Sequence, residues 1–342
     1  MTIKRFLIFA PILLIIVLLQ SYFWVPTYEE QTKGNPERLN EYIAGSIGDA
    51  SLLNPILTAD SASSNIENMV FEGLIDRDEQ LHFRGRLATS WEVFEEAYFY
   101  VNPSADVPEL GKPNPETLVD FIKKAKQKNQ TKNKDLKDSL GCITNISVLA
   151  PKTSWVKKPF KDPTTGTQKN IKIRIEAPAR IKLVLNRVDP DFFQNLSYLL
   201  GKNYFESFNG KAYLMSDSEM EKGILDKYAG ELLPAVEHNP VLLFHLRPGV
   251  RFHDGHHFDA HDVRFTYESI MNPKNLSPRI ADYEPVKSVT VRDPLTVKIV
   301  YKRLYSPAMG TWGMGILPEH LLNQNALRKE AHRLGKDPNT FS

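Results

Sequence analysis

A run of histidine and carboxylate side chains is the densest group of potential metal ligands in the sequence. Its members are His253, Asp254, His256, His257, Asp259, His261 and Asp262. Imidazole and carboxylate groups bind zinc, and His257 and His261 would lie about one turn apart if a helix began early. The run therefore supports an exported metal-dependent hydrolase as one hypothesis. A second interpretation is structural, because Asp259 can cap a helix and Asp262 would lie near its positive end.

The other motifs of catalysis and cofactor binding are absent from the sequence. No G-x-S-x-G elbow, H-E-x-x-H helix or G-x-x-x-x-G-K-[ST] loop occurs. Gly310, Gly313 and Gly315 do not have the spacing of a dinucleotide-binding loop. The single cysteine, Cys142, excludes an intramolecular disulfide framework and a thiolate zinc finger. We therefore expect a protein that is not an enzyme and that uses neither a cofactor nor a metal.

Length and charge limit the remaining classes of protein. The 342 residues suggest about two domains, and 42% apolar with 25% charged residues is a globular composition. The net charge of +2 argues against a nucleic-acid-binding protein. Residues 112–174, however, include fifteen Lys or Arg and only five Asp or Glu. We interpret this basic stretch as a solvated surface, with contact to anionic lipid headgroups or to a partner as the second interpretation.

The N-terminus has the pattern of a membrane-directed segment. Lys4 and Arg5 precede an apolar run over residues 6–25, and about 20 helical residues span one hydrocarbon core. We expect an uncleaved transmembrane helix that anchors the protein to the inner membrane. A cleaved signal peptide is the alternative, although no A-x-A-like site follows the run. Both interpretations place the rest of the chain outside the cytoplasm, by the positive-inside rule.

Composition and patterning divide the chain into five parts. We predict an anchor or signal over residues 1–26, a linker over 27–40, a globular part over 41–96, an inserted α+β module over 97–239, and a continuation of the first globular part over 240–342. Apolar residues alternate with polar ones from Ile171 to Leu185, which predicts a hairpin that turns at Pro178. A second hairpin is predicted from residue 285 to residue 301.

One segment resembles a known family closely. Residues 241–271 read VLLFHLRPGVRFHDGHHFDAHDVRFTYESIM, which resembles a signature of the family 5 extracellular solute-binding proteins, the dipeptide and oligopeptide receptors of ABC importers. The matching positions are Phe244, Leu246, Arg247, Gly249, Val250, Phe252, His253, Asp254, Gly255, Phe258, Ala260, Asp262, Val263, Phe265, Thr266 and Tyr267. Residues 54–93 and 295–322 resemble two further segments of the family, in the same order.

The resemblance implies an α+β fold with mixed sheets, of the type II periplasmic-binding-protein class. It also implies an extracytoplasmic (periplasmic) subunit that binds peptides or similar small solutes and docks on ABC permease subunits, without nucleic acid. In the family the first globular part continues almost directly into the 241–271 signature, and a second ligand-gripping lobe follows the region near residue 342. We therefore expect residues 97–239 to be an insertion, and the remaining lobe to lie downstream or on a second chain.

The resemblance also implies positions for a ligand. The loop of Ala59, Asp60, Ser61 and Ala62 corresponds to a loop near the family's cleft, where backbone and hydroxyl groups meet an extended peptide. Trp312, Gly313 and Met314 lie on the returning segment near the hinge; for Trp312, ordinary packing is an equally good interpretation. A sensor or scaffold protein derived from the receptor lobe remains a third hypothesis for the function.

Overall fold

The computed structural model describes residues 2–24, 45, 48–128, 133–161, 166–216, 219–324, 328 and 333. The chain forms two compact units, Met1–Asp49 and Ala50–Ser342. The first unit contains helix α1 (Thr2–Trp24), whose side chains are described for residues 9–21. In the described part of the chain, no helix is both long and apolar enough to cross a membrane. The predicted anchor over residues 1–26 stays a prediction.

The second unit contains the remaining helices and all the strands of the described chain. Its helices are α2 (Ser61–Val70), α3 (Pro115–Lys128), α4 (Lys134–Cys142), α5 (Phe192–Leu200), α6 (Glu219–Leu232), α7 (Ala260–Met271), α8 (Ile280–Tyr283) and α9 (Glu319–Leu322). Its strands are β1 (Ile75–Arg77), β2 (Phe83–Gly85), β3 (Ala88–Tyr100), β4 (Ile143–Leu149), β5 (Lys152–Lys161), β6 (Gln168–Ala177), β7 (Arg180–Leu185), β8 (Leu214–Ser216), β9 (Val236–Leu246), β10 (Val286–Asp293) and β11 (Thr296–Tyr301). The composition is α+β, as predicted.

The described strands form three sheets. Their orders are β1-β2, β10-β11-β9-β3-β7-β4 and β5-β6-β8. Every pair is antiparallel. The prediction of mixed sheets is therefore wrong for the described strands. Parallel neighbours need a crossover of a dozen or more residues, whereas β5–β6 and β10–β11 are joined directly as antiparallel hairpins.

The hairpin predicted from Ile171 to Leu185 does not form. Strands β6 and β7 follow one another in the chain, but β6 pairs with β5 and β8 while β7 pairs with β3 and β4. The chain thus passes from one sheet to another between residues 177 and 180. Alternation predicted both strands correctly, but it carries no information about which neighbour each strand takes.

The long pair formed by β3 and β9 holds the second unit together. It runs from Ala88 opposite Leu246 to Phe99 opposite Val236. Strand β11 lies beside β9 at residues 241–245, and β7 lies beside β3 at residues 95–100. The predicted module boundaries, after residues 96 and 239, therefore fall inside two paired strands, and residues 97–239 continue the sheet of the flanking segments.

The second unit has three hydrophobic cores, and the six-stranded sheet supplies residues to the first two. The first contains Leu74, Ile75, Leu242, Phe244, Val263, Val297, Ile299, Tyr301 and Trp312 among its buried residues. The second, under helices α3, α4 and α5, includes Ala97, Phe99, Leu118, Ile122, Leu140, Leu183 and Phe192. The third lies between the three-stranded sheet and α6, and includes Ile171, Ile173, Ile175, Leu225 and Tyr228. Because β3 supplies residues to the first two cores, both cores depend on one strand.

Candidate functional site

A cleft of about 550 Å³ lies where the predicted ligand-contacting segments meet. Its lining consists of Pro55, Ser64, Glu67, Asn68, Phe71, Arg77, Phe83, Arg279, Asp282, Tyr283, Tyr305, Ser306, Pro307, Gly310, Thr311, Gly313, Met314 and Gly315. A second space of about 440 Å³ shares Asn68, Phe71, Arg77, Phe83, Gly310 and Gly313 with it, so the two form one continuous depression. A larger space of about 680 Å³ lies on α3 and α5, away from the predicted site residues.

Asp60 begins helix α2 and does not line the cleft. Its carboxylate accepts hydrogen bonds from the Ser63 backbone N–H at 2.7 Å and from the Ser51 hydroxyl at 2.8 Å. The Ser63 N–H, followed by the Ser51 hydroxyl, holds the pKa of this exposed carboxyl below its usual value. Ala59, Ser61 and Ala62 also lie outside the cleft lining. The predicted loop therefore caps the helix, the next two turns of α2 supply Ser64 and Asn68 to the cleft, and Phe71 follows at the end of the helix.

Glu67 joins the start of α2 to the preceding loop. It is buried, and its carboxylate accepts a hydrogen bond from the Thr58 hydroxyl. The Thr58 hydroxyl also lies 2.9 Å from the Leu52 carbonyl and 2.8 Å from the Asn54 carbonyl. This network fixes the helix against residues 52–58. The exposed side of α2 that carries Asn68 is consequently held in one orientation toward the cleft.

Two glycines let the opposite wall of the cleft approach the chain after α2. A Cβ at Gly73 would lie 2.4 Å from the Gly313 carbonyl oxygen, and a Cβ at Gly315 would lie 2.4 Å from the Phe71 Cβ. Backbone bonds join the same segments, from Leu74 N–H to the Trp312 carbonyl at 2.9 Å and from Ile316 N–H to the Glu72 carbonyl at 2.9 Å. Absence of a side chain at residue 73 is thus what allows residues 312–316 to form this wall.

Trp312 is part of the core and not of the cleft surface. It is only 1% exposed, and its Nε1–H donates to the Tyr301 hydroxyl at 3.0 Å. Tyr301 in turn donates to the Ala308 carbonyl at 2.9 Å. Burial raises the pKa of Tyr301, so its hydroxyl stays protonated as this donor. Trp312 therefore fixes the segment from within, whereas Gly313 and Met314 line the cleft where they were predicted.

Two arginines bring positive charge to the cleft. Arg77 lies over the Phe83 ring at 4.4 Å and donates to the Leu81 carbonyl at 2.8 Å. Arg279 donates from Nε to the Pro55 carbonyl at 2.8 Å. Neither guanidinium forms an ion pair with a described residue, so their remaining N–H groups can donate to carbonyl or carboxylate oxygens of a ligand. Asp282, also in the lining, is an acceptor of opposite charge.

The sequence did not single out Asn68, Arg77 or Arg279. Asn68 and Arg77 are close in the chain but Arg279 is remote from both, and each is an ordinary surface residue type. The one local signal is the glycine pattern, since Gly73, Gly313 and Gly315 mark places where backbones approach closely.

The histidine-rich run is a structural element in this fold. Asp259 and Asp262 form a capping box at the start of α7, where the Asp259 N–H donates to the Asp262 carboxylate at 2.9 Å. The Asp254 carboxylate lies 2.6 Å from His320 Nε2, and the His256 ring stacks on the His320 ring at 3.9 Å. Among the described residues, no group of three or more His, Cys, Asp or Glu side chains has a geometry that could hold a metal ion. In this fold the run therefore provides a helix cap and a turn that packs on His320.

Part of the chain is similar to a known protein family. Residues 237–332 match the model described as "Bacterial extracellular solute-binding proteins, family 5 Middle". The oligopeptide-binding protein AppA of Bacillus subtilis is 36% identical over 61 residues, which cover 18% of this chain and 11% of that protein. The glutathione-binding protein GsiB of Salmonella paratyphi A is 29% identical over 120 residues, which cover 35% of this chain and 22% of that protein. The chain thus matches less than a quarter of the length of these relatives.

Among solved structures, NikZ from Campylobacter jejuni in complex with Ni(L-His) is similar to this chain at 17% identity and a TM-score of 0.35. The alignment covers 81% of this chain and 27% of the NikZ chain. The family is one of binding proteins and not of enzymes, and its matched segment contains α7, β10, β11 and the cleft wall at residues 310–315. The 241–271 signature, the ordered flanking segments and the match over residues 237–332 agree, and this part of the chain is similar to the family 5 bacterial extracellular solute-binding proteins.

Proposed function

We propose that the chain supplies one wall of the ligand site in an extracytoplasmic solute-binding subunit that delivers peptides to an ABC importer. The observation that carries this proposal is the coincidence of the family-matched segment with the cleft between α2 and residues 305–315. Two relatives, an oligopeptide-binding protein and a glutathione-binding protein, favour peptides as the class of solute.

The lining of the cleft suits an extended peptide. Asn68 and Thr311 bring side-chain groups that can donate to and accept from a peptide main chain, and Arg77 and Arg279 can donate to its carbonyl or carboxylate oxygens. Phe71, Phe83 and Met314 add apolar surface for side chains of the ligand. Main-chain hydrogen bonds give affinity without reading the sequence of the peptide.

The mechanism that we propose is closure of two lobes around the solute, followed by docking on the permease. A ligand is largely removed from water only when both sides of such a cleft enclose it. The described residues supply one side. We therefore expect this 342-residue chain to bind di- and oligopeptides more weakly than micromolar, which corresponds to less than about 8 kcal/mol of binding free energy.

Binding that is this weak is best located by chemical-shift perturbation with a peptide at high concentration. The expected shifts involve the amide groups of Asn68, Thr311, Gly313 and Met314. Asn68→Leu should reduce the shift changes, whereas Asn65→Leu, on an exposed position of the same helix outside the cleft, should leave them unchanged. Shifts confined to other regions, or equal effects of the two variants, would contradict a peptide site in this cleft.

A further inference from the structure

The small sheet β5-β6-β8 has one covered face and one open face. Ile171, Ile173 and Ile175 point inward from β6 and pack against α6 in the third core. Successive side chains of a strand point to opposite faces, so Lys172 and Arg174 point outward, and both are exposed. On β5, the corresponding outward residues are Thr153, Trp155 and Lys157. The open face is therefore formed by the outward residues of three short strands.

An exposed tryptophan lies on this open face between cations. Trp155 is 49% exposed, and Lys172 Nζ lies 4.2 Å from the centre of its ring. Cross-strand pairing places Trp155 opposite Arg174, and Arg174 opposite Met215 of β8, which is 43% exposed. Lys157 pairs with Lys172 in the next row. Two apolar side chains thus alternate with cations over a width of about 10 Å, the span of three strands.

The charge of the face is positive. Lys157, Lys172 and Arg174 are its cations, and Glu176, which forms an ion pair with Arg174, is the acidic residue among the outward positions of β5 and β6. Like-charged Lys157 and Lys172 lie directly opposite each other, an arrangement that destabilises a sheet unless an anion is present. Strand β5 and residues 168–174 of β6 lie in the stretch of residues 112–174 that has ten more basic than acidic residues.

We propose that the open face of β5-β6-β8, centred on Trp155, binds the surface of an anionic phospholipid bilayer. Tryptophan is favoured at the boundary between headgroups and hydrocarbon, where its ring meets the apolar region and its N–H meets water. Lysine and arginine near an anionic bilayer are attracted by its negative surface potential. The inference is independent of the peptide site, which lies on other elements of the fold.

The test places an environment-sensitive fluorophore on the open face of the full chain through Thr153→Cys. Cys142 is buried, so the added cysteine is the accessible one. Vesicles of phosphatidylcholine mixed with phosphatidylglycerol should shift the emission to shorter wavelength, and vesicles of phosphatidylcholine alone should not. Adding Lys157→Gln or Lys172→Gln should weaken the response about fivefold each, and added salt should suppress it.

The matched control carries the same fluorophore at Lys227→Cys, on α6 and thus on the covered side of the same sheet. It should not respond, even where other parts of the chain associate with the vesicles. Lys274→Gln, on a distant exposed turn, should leave the Thr153→Cys response unchanged. An equal response at both labelled sites, a response to neutral vesicles, or a response to a soluble polyanion but not to anionic vesicles would overturn the proposal.

Discussion

Replacement of Gly73 by alanine tests how the cleft wall is held. Gly73 does not have a positive φ, so alanine is compatible with its backbone conformation. The added Cβ, however, would lie 2.4 Å from the carbonyl oxygen, 2.5 Å from the carbonyl carbon and 2.8 Å from the Cα of Gly313. All three atoms belong to the backbone, and the neighbouring residues Leu74 and Trp312 are joined by a hydrogen bond. The segment from residue 312 to residue 316 must therefore move.

The expected cost follows from the kind of contact. Insertion of one carbon into a closely packed place costs about 1–3 kcal/mol. For a domain of more than about 150 residues, each kcal/mol lowers the melting temperature by about 2–4 °C, so Gly73→Ala should melt several degrees below the wild type. The same variant should weaken the peptide-induced shifts at Gly313 and Met314, because these residues lie on the displaced segment.

Gly310→Ala is the matched control for this experiment. Gly310 also lines the cleft, but a Cβ there would have no atom within 4 Å, and its φ is not positive. The change should leave the free energy of unfolding equal or raise it by up to about 1 kcal/mol, through the lower entropy of the unfolded chain. Thermal unfolding followed by circular dichroism measures both variants. If Gly73→Ala has the melting temperature of the wild type, or if Gly310→Ala is destabilised as much as Gly73→Ala, the close backbone approach at residue 73 does not hold the cleft wall in place.

Three further predictions concern the sheet and its helices. Burial opposes ionisation of Glu96, but hydrogen bonds from Lys298 at 2.6 Å, from Lys182 and from Tyr98 outweigh burial and lower the pKa of Glu96 to about 2. Because the pKa in the folded state is below the pKa in the unfolded state, the stabilisation by Glu96 is complete above about pH 5 and is lost toward pH 2. Glu96→Gln should therefore lower stability at neutral pH and flatten the acid limb of stability against pH, and an unchanged limb would contradict this. Glu96 of β3 and Asn239 of β9 are directly opposite each other. Replacing residues 97–238 by Asn-Gly should therefore join the two strands in a tight hairpin, and the first core should still unfold cooperatively. A gradual, uncooperative thermal transition would show that the first core needs the second core. Asp259→Ala removes the cap that accepts the His261 N–H at 2.7 Å and should cost about 1 kcal/mol. The control Asp78→Ala, in the turn between β1 and β2, should not shorten α7 by amide exchange.

The features that the sequence predicted correctly are local in the chain. Asp259 and Asp262 were expected at the start of a helix, and both cap α7. The hairpin near residues 285–301 forms as β10 and β11, which pair from Val286 opposite Tyr301 to Asp293 opposite Thr296. Gly313 and Met314 line the cleft, but the contact with a ligand that the family resemblance implied for them stays a prediction.

The tertiary structure decided which of these local elements meet. Strands β6 and β7 have the alternation of a hairpin but join different sheets, and β3 and β9 pair across more than a hundred intervening residues. Likewise the helix start at Asp60 was predicted as the ligand contact, yet the turn that carries Asn68 faces the cleft. Periodicity and capping depend on neighbours within a few residues, and they fix the type and the limits of an element. The partner of a strand and the exposed side of a helix depend on burial against residues that are remote in the chain, so only the folded structure determines them.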